Sequence, residues 1–236
     1  KRLVNFKSIC SIPSNGNFEV LKYLLGDEVR NKQGDIVKLP EWWKPCTIDN
    51  WAVKHAAQNN NLDVEMVEYL IGKGAKINYS AVVTQLAQRN NLEMVKYLVE
   101  KLLEKGEEEI SEDAVLNAMH NNNLEMVEYL VGKGAKINNF IVLHAAHNNN
   151  LEMLKYWVEK IGSLGDVDLH YPINNGNLEI IKYLLGDEAR DEKGNIVKLP
   201  EGIKPITVTS GDWKSIANSH ARNIEEIKEY IIKKTK

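Results

Sequence analysis

A tyrosine recurs at Tyr23, Tyr69, Tyr97, Tyr129, Tyr156, Tyr183 and Tyr230, each time inside an amphipathic phrase. NNNLEMVEYLVGKGAKIN (121–138), NNLEMVKYLVEK (90–101) and HNNNLEMLKYWVEK (147–160) are near copies of one another. Successive tyrosines are 46, 28, 32, 27, 27 and 47 residues apart, so the basic unit is 27 or 28 residues, with one small insertion and two long ones. A period of this size predicts a solenoid, in which each unit buries its apolar side against its neighbours and no single central core forms.

Each unit reads as two helices. In the second, Leu124, Val127, Leu130 and Val131 form an apolar stripe at i, i+3, i+6 and i+7, with Met126 and Tyr129 at its border and Glu125 and Glu128 opposite. Gly132 and Gly134 stop that helix, because glycine accepts the left-handed conformation of a helix end. The first helix is shorter: AVVTQLAQ (81–88), AVLNAMH (114–120), IVLHAAH (141–147). Asparagines at 59–61, 90–91, 121–123 and 148–150 follow it. Asn tolerates positive φ and caps the next helix through its side-chain oxygen, so these clusters read as turns. Gly16 and Gly176 stand at the same turn in two other units. Truncating Leu124 to alanine is expected to cost about 2–5 kcal/mol.

Composition excludes several classes of function. Thirty basic and 33 acidic residues give a net charge of -3, too balanced for a protein built to grip a nucleic-acid backbone or an anionic membrane. Cys10 and Cys46 form neither a CxxC pair nor a disulfide framework and read as free thiols in a reducing compartment. No apolar run approaches the roughly 20 residues of a membrane span, and no secretion signal is present. The chain starts at Lys1 without Met, which reads as a segment excised from a longer protein.

Ala145-Ala146-His147-Asn148, followed by Asn149-Asn150-Leu151-Glu152, resembles the ankyrin repeat, and so do the closing segments Gly134-Ala135-Lys136-Ile137-Asn138 and Gly74-Ala75-Lys76-Ile77-Asn78. The resemblance implies an all-α fold, an ankyrin-like α-solenoid of about seven helix-pair repeats with short β-hairpin inserts. It implies a single domain over 1–236, with units at approximately 1–45, 46–78, 79–110, 111–138, 139–168, 169–207 and 208–236. The family's unit is about 33 residues. The shortfall here lies between the closing Asn and the first helix, so the projecting fingers are expected to be stunted. The Thr-Pro-Leu-His start is absent, and the family's histidine role is not carried over to His55 or His144.

Two long inserts, GDEVRNKQGDIVKLPE (26–41) and GDEARDEKGNIVKLPE (186–201), are near-identical although 160 residues apart. Each predicts a hairpin turning near Gly34 or Gly194 and ending at Pro40 or Pro200. Their glycine spacing fits no phosphate loop. Trp42 and Trp43, after the first insert, are either binding hot spots or a cover for the end of the core.

In ankyrin-like arrays the first helices line the concave side and usually recognise partners. The position after the Ala pair then projects Ser14, Gln58, Gln88, His120, His147, Asn174 and His220 into the groove. Three residues earlier come His55, Gln85, Asn117, His144, Tyr171 and Ala217. One turn further back lie Trp51, Ala81, Asp113, Phe140, Val167 and Trp213. All six histidines are expected on first helices. Gln, Asn and His replace the Lys and Glu that solvation alone would favour, which points to a hydrogen-bonding groove with aromatic patches. A metal site of His120, His144 and His147 lacks a completing carboxylate or thiolate. No catalytic constellation is recognisable in the order of residues, and Glu107-Glu108-Glu109 reads as a solvated turn. The expectation is a non-catalytic protein–protein interaction module without cofactor or metal. Its partner is a protein rather than nucleic acid or membrane, and a monomer is favoured. The rival readings are a small-ligand binder or enzyme with a pocket in the groove, and a nucleic-acid-binding repeat protein. Asn- and Lys-rich arrays of this style resemble those of large viruses and intracellular parasites. That likeness implies a cytoplasmic place of action, in the host cytosol for such a source.

Overall fold

The computed structural model describes residues 18–40, Val53, 64–106, 109–138 and 140–236. Among the described residues the chain is all-α apart from two small hairpins, and it divides into two compact units. The first comprises Lys1–Asn121 with Glu125–Lys136, the second Asn122–Leu124 with Ile137–Lys236.

The first unit contains α1 (Phe18–Leu24), α2 (Val64–Gly72), α3 (Tyr79–Gln88), α4 (Leu92–Lys105), α5 (Glu112–His120) and α6 (Leu124–Gly132, from Glu125 onward). α3 packs on α4, its partner in the repeat, and on α5, the first helix of the next. Both helices of the repeat build the core: Val82, Val83, Leu86 and Ala87 in α3 and Ala114, Val115, Ala118 and Met119 in α5, against Met94, Val95, Leu98 and Val99 in α4 and Met126, Val127 and Leu130 in α6. This corrects the membership of the expected stripe. Met126 is fully buried rather than at the border, while Leu124 and Val131 are only half-buried. Methionine is unbranched and fills the irregular space between short helices.

The second unit contains α7 (Ile141–His147), α8 (Leu151–Ile161), α9 (His170–Asn175), α10 (Leu178–Leu184), α11 (Ser210–Asn218) and α12 (Ile224–Lys234). α9 packs on α7, α10 and α11. Trp157 of α8 and Tyr183 of α10 are completely buried, so the tyrosine that marks the repeat becomes a core residue here.

The asparagine turns that the structure describes are as expected from the sequence, while Gly16 and the asparagines at 59–61 lie outside the described residues. Asn90, Asn122 and Asn149 have φ of 60°, 54° and 60°, and Gly176 stands at 70° in the equivalent place. The asparagine just before the second helix caps it: Asn91 accepts from Met94 N–H, Asn150 from Met153 N–H and Asn177 from Ile180 N–H. A further asparagine, at the end of the first helix, has a role that spacing does not show. Asn121 Nδ2 donates to the carbonyl oxygens of Ala87 and Gln88, which close the preceding first helix. Asn175 donates likewise to His147 O, and Asn223, just before the second helix of the last repeat, donates to Gly176 O. The last carbonyls of a helix have no partner of their own, and here the next repeat supplies one.

Both inserts form the expected hairpins. Val29–Arg30 (β1) pairs antiparallel with Ile36–Val37 (β2), and Ala189–Arg190 (β3) with Ile196–Val197 (β4). Gly34 and Gly194 turn them with φ of 91° and 83°. In each, an arginine reaches across to the glycine carbonyl, Arg30 to Gly34 O and Arg190 to Gly194 O. Each hairpin also places an aspartate against the second helix that follows it. Asp27 pairs with Lys73, and Asp187 accepts from Tyr230 Oη and pairs with Lys234. Where no insert exists, Glu100 takes that part: it accepts from Tyr129 Oη at 3.0 Å and pairs with Lys133 at 2.6 Å.

Candidate functional site

Ser14, Trp42, Trp43, Trp51, His55 and Gln58 lie outside the described residues.

In the first unit the buried pairs Leu86–Ala87 of α3 and Ala118–Met119 of α5 fix the helix faces, and the next residues, Gln88 and His120, are exposed. One turn back, Gln85 and Asn117 are half-buried. Asn117 Nδ2 donates to Thr84 O at 3.1 Å, so its amide already joins α5 to α3. Gln85 Oε1 is buried and has no hydrogen-bond partner. An open depression of about 410 Å³ lies here, lined by Asn78, Ser80, Ala81, Thr84, Gln85, Ser111 and Asp113.

In the second unit the corresponding face is aromatic. Phe140 is 54% exposed and Tyr171 44% exposed, beside half-buried His144 and His147. His144 and His147 are three residues apart on α7 and so share a side of the helix, which the buried pair Ala145–Ala146 turns outward. Their rings meet edge to face at 6.2 Å. The His147 ring lies 3.5 Å from that of Tyr171, tilted by 36°, and Tyr171 meets His170 edge to face at 5.1 Å. Four rings from α7 and α9 therefore form one continuous run.

His170 belongs to this run although it falls in none of the aligned columns. Asp168 starts its helix by accepting from His170 N–H at 2.9 Å. Ser215 Oγ of α11 holds its ring at Nδ1, 2.8 Å away, and Asn174 Nδ2 stands 3.3 Å from Nε2. The signal in the sequence was Asp168, a helix-starting residue two positions ahead. Burial holds His147 below the ordinary histidine range, assisted by the neighbouring His144 and opposed by Asp168. Its ring is accordingly neutral at pH 7 and offers a stacking surface rather than a charge.

Two expectations about the columns need correction. Val167, aligned with Phe140, is buried. It lies in the turn before α9, where an aliphatic side chain packs inward. His220 is not on a first helix, because α11 ends at Asn218. The buried pair of that helix is Ser215–Ile216, so the position after it is Ala217, and the extra residues of this unit fall in the turn between its two helices. Asn117, as described, serves the joint between repeats. Trp213, on α11, is 37% exposed.

Among the described residues no group of three or more His, Cys, Asp or Glu stands where it could hold a metal ion. No described helix is long and apolar enough to cross a membrane.

A family model described as ankyrin repeats (3 copies) matches residues 53–141 and 115–195, together more than half of the chain. No curated protein matches it.

Proposed function

Because the chain belongs to the ankyrin-repeat family, whose repeats are generally protein–protein interaction modules, we propose that it is a non-catalytic module capturing a protein partner on the face of its first helices. The observation that carries this reading is the run of rings His144, His147, Tyr171 and His170, flanked by exposed Phe140 and Asn174. Large, stiff, amphipathic rings bury much area on contact and lose little rotamer entropy, which is why they dominate binding hot spots. Each ring is held by its own helix or by a neighbour, as Ser215 holds His170, so little ordering remains when a partner arrives. Gln88 and His120 extend the same helix positions in the first unit. Trp42, Trp43, Trp51, His55 and Gln58 are proposed for partner contact from their place in the sequence repeat alone.

The test compares capture by the intact chain, by a His144→Ala/Tyr171→Ala double variant, and by a control, Glu128→Ala, on the outer face of α6. Proximity cross-linking followed by mass spectrometry should recover the same protein with the intact chain and the control, and at least tenfold less with the double variant. All three should melt at similar temperatures. Equal capture by the double variant overturns the assignment of the face. Recovery of nucleic acid in place of protein, lost in high salt, overturns the class of partner.

A further inference from the structure

Asn175-Gly176, at the end of α9, is the only Asn-Gly pair among the described residues. This pair is open to a spontaneous reaction, because glycine has no side chain to keep its backbone nitrogen away from the asparagine amide carbon. In that reaction the Gly176 nitrogen forms a bond to Asn175 Cγ and the Cγ–Nδ2 bond breaks. The proton of the attacking nitrogen leaves with Nδ2 as ammonia. Water then opens the five-membered imide at either carbonyl, leaving aspartate or isoaspartate. The balance is amide plus water to acid plus ammonia, so no oxidant or further reactant is required.

Asn175 is exposed, and water reaches it without help. The fold withholds the other reactant. Asn175 is the last helical residue of α9, and helical ψ turns the next nitrogen away from the side-chain carbon. Gly176 N–H is tied to Ile173 O at 3.1 Å, and Asn177 N–H to Pro172 O at 2.9 Å, the paired bonds that close a helix on a left-handed glycine. Asn175 Nδ2 is tied to His147 O at 3.2 Å. All three restraints depend on α9, which has six residues and is too short to persist alone. It is held by packing on α7, α10 and α11.

The product does not fit the place that the amide leaves. A carboxylate at 175 has no N–H for His147 O, and it puts negative charge at a helix C-terminus, where the dipole disfavours it. Isoaspartate also lengthens the main chain by one methylene and moves the two closing bonds out of register.

We propose that Asn175-Gly176 is a deamidation site gated by the opening of α9, and that the reaction prevents the helix end from closing as before. An episode of local opening thereby leaves a permanent chemical mark on the repeat. α9 also carries His170 and Tyr171, so the same event loosens the ring face, but the chemistry of the site does not rest on the interaction reading.

The experiment incubates the full chain at mildly alkaline pH, with and without denaturing urea, and follows the aspartate and isoaspartate content of each asparagine by peptide mass spectrometry. Conversion of Asn175 should be at least about tenfold slower in the folded chain, as expected for a site reached only through local opening. Ile173→Ala removes a completely buried side chain of α9 and should raise the rate without urea towards the rate in urea. Asn175→Asp, one of the two products, should melt below the parent. Equal rates in folded and unfolded chains, or a native rate unmoved by Ile173→Ala, would overturn the gate. Conversion in urea confined to other asparagines would overturn the site. Parental melting of Asn175→Asp would overturn the one-way character. None of these measurements uses a partner, so their failure is distinct from failure of the capture test.

Discussion

The first and second helices of each repeat have diverged to different degrees. The second helices are near copies, as Leu-Glu-Met-Val-Lys-Tyr-Leu in α4, Leu-Glu-Met-Val-Glu-Tyr-Leu in α6 and Leu-Glu-Met-Leu-Lys-Tyr-Trp in α8 show. The first helices share little beyond their buried pairs, such as Val82–Val83 and Leu86–Ala87 in α3. The difference follows from what each touches. A second helix buries one side completely and uses its tyrosine and charged residues to join neighbours, as Tyr129 does with Glu100 and the carbonyl of Lys96. A first helix is anchored by its buried positions, such as Ala145 and Ala146, and its outer positions carry no packing duty. Freedom from packing is what permits His, Gln, Tyr and Phe to gather there.

The sharpest way to break this comparison is in a second-helix core. Leu130→Ala removes a fully buried side chain and should cost about 2–5 kcal/mol in chemical denaturation. A loss below about 1 kcal/mol there would mean that the second helices do not carry the stability. The joints should come next. Asp187→Asn keeps the shape but weakens the bonds to Tyr230 and Lys234. The carboxylate is 38% exposed, so about 1 kcal/mol is expected rather than the larger figure for buried charged partners. Asn121→Ala should cost about 0.5–1.5 kcal/mol by leaving the Ala87 and Gln88 carbonyls to water. The smallest effect belongs to a first-helix face: Phe140→Ala, at a 54% exposed position, should stay within about 0.5 kcal/mol of the parent while reducing partner capture.

Two titrations sharpen the same contrast, because their signs are shared and their pH windows differ. Lys234, then Tyr230, hold the Asp187 carboxyl below its ordinary value of 3.8. The unfolded chain therefore takes up this proton first as pH falls. The stabilisation is complete above pH 3.8 and disappears as pH drops through the lower folded value. Asp187→Asn should remove that part of the acid transition. His147 is held below its ordinary value of 6.5, chiefly by burial. Its neutral form is the one favoured by folding, so its contribution is complete above pH 6.5 and declines below it. His147→Gln should flatten the stability curve below pH 6.5, and Asp187→Asn should do so below pH 3.8.

Much of this architecture was legible in the sequence because its causes are local. Positive φ at Asn90, Asn122 and Asn149, the asparagine caps and the glycine-turned hairpins all depend on a few adjacent residues. What escaped the sequence depends on a neighbouring repeat. Nothing local separates Asn121, which ties two first helices together, from Asn122, which makes the turn. Asn117 has the spacing of a groove residue and the hydrogen bond of a joint. The shift from Leu124 to Met126 as the core position has the same origin, since only the neighbouring helices decide which side of a short helix is covered. In the last repeat the insert alone accounts for the tyrosine spacing of 47 when only the sequence is read, whereas in the structure part of that spacing lengthens the turn after Asn218 and shifts His220 out of register. His170 falls outside the columns because a column admits one residue per repeat, and the ring run uses two neighbours, His170 and Tyr171.

The amide of Asn121 serves carbonyls that belong to the repeat before it, and Asn175 and Asn223 do the same, which gives the array a grain. Removing a downstream repeat strips the last carbonyls of the preceding helix of their donors, at a terminus it cannot repair itself. Removing an upstream repeat merely returns one surface amide to solvent. Shortened versions cut from opposite ends should thus differ in robustness even when they lose equal numbers of residues, and unravelling under force should be easier to start from the C-terminal side.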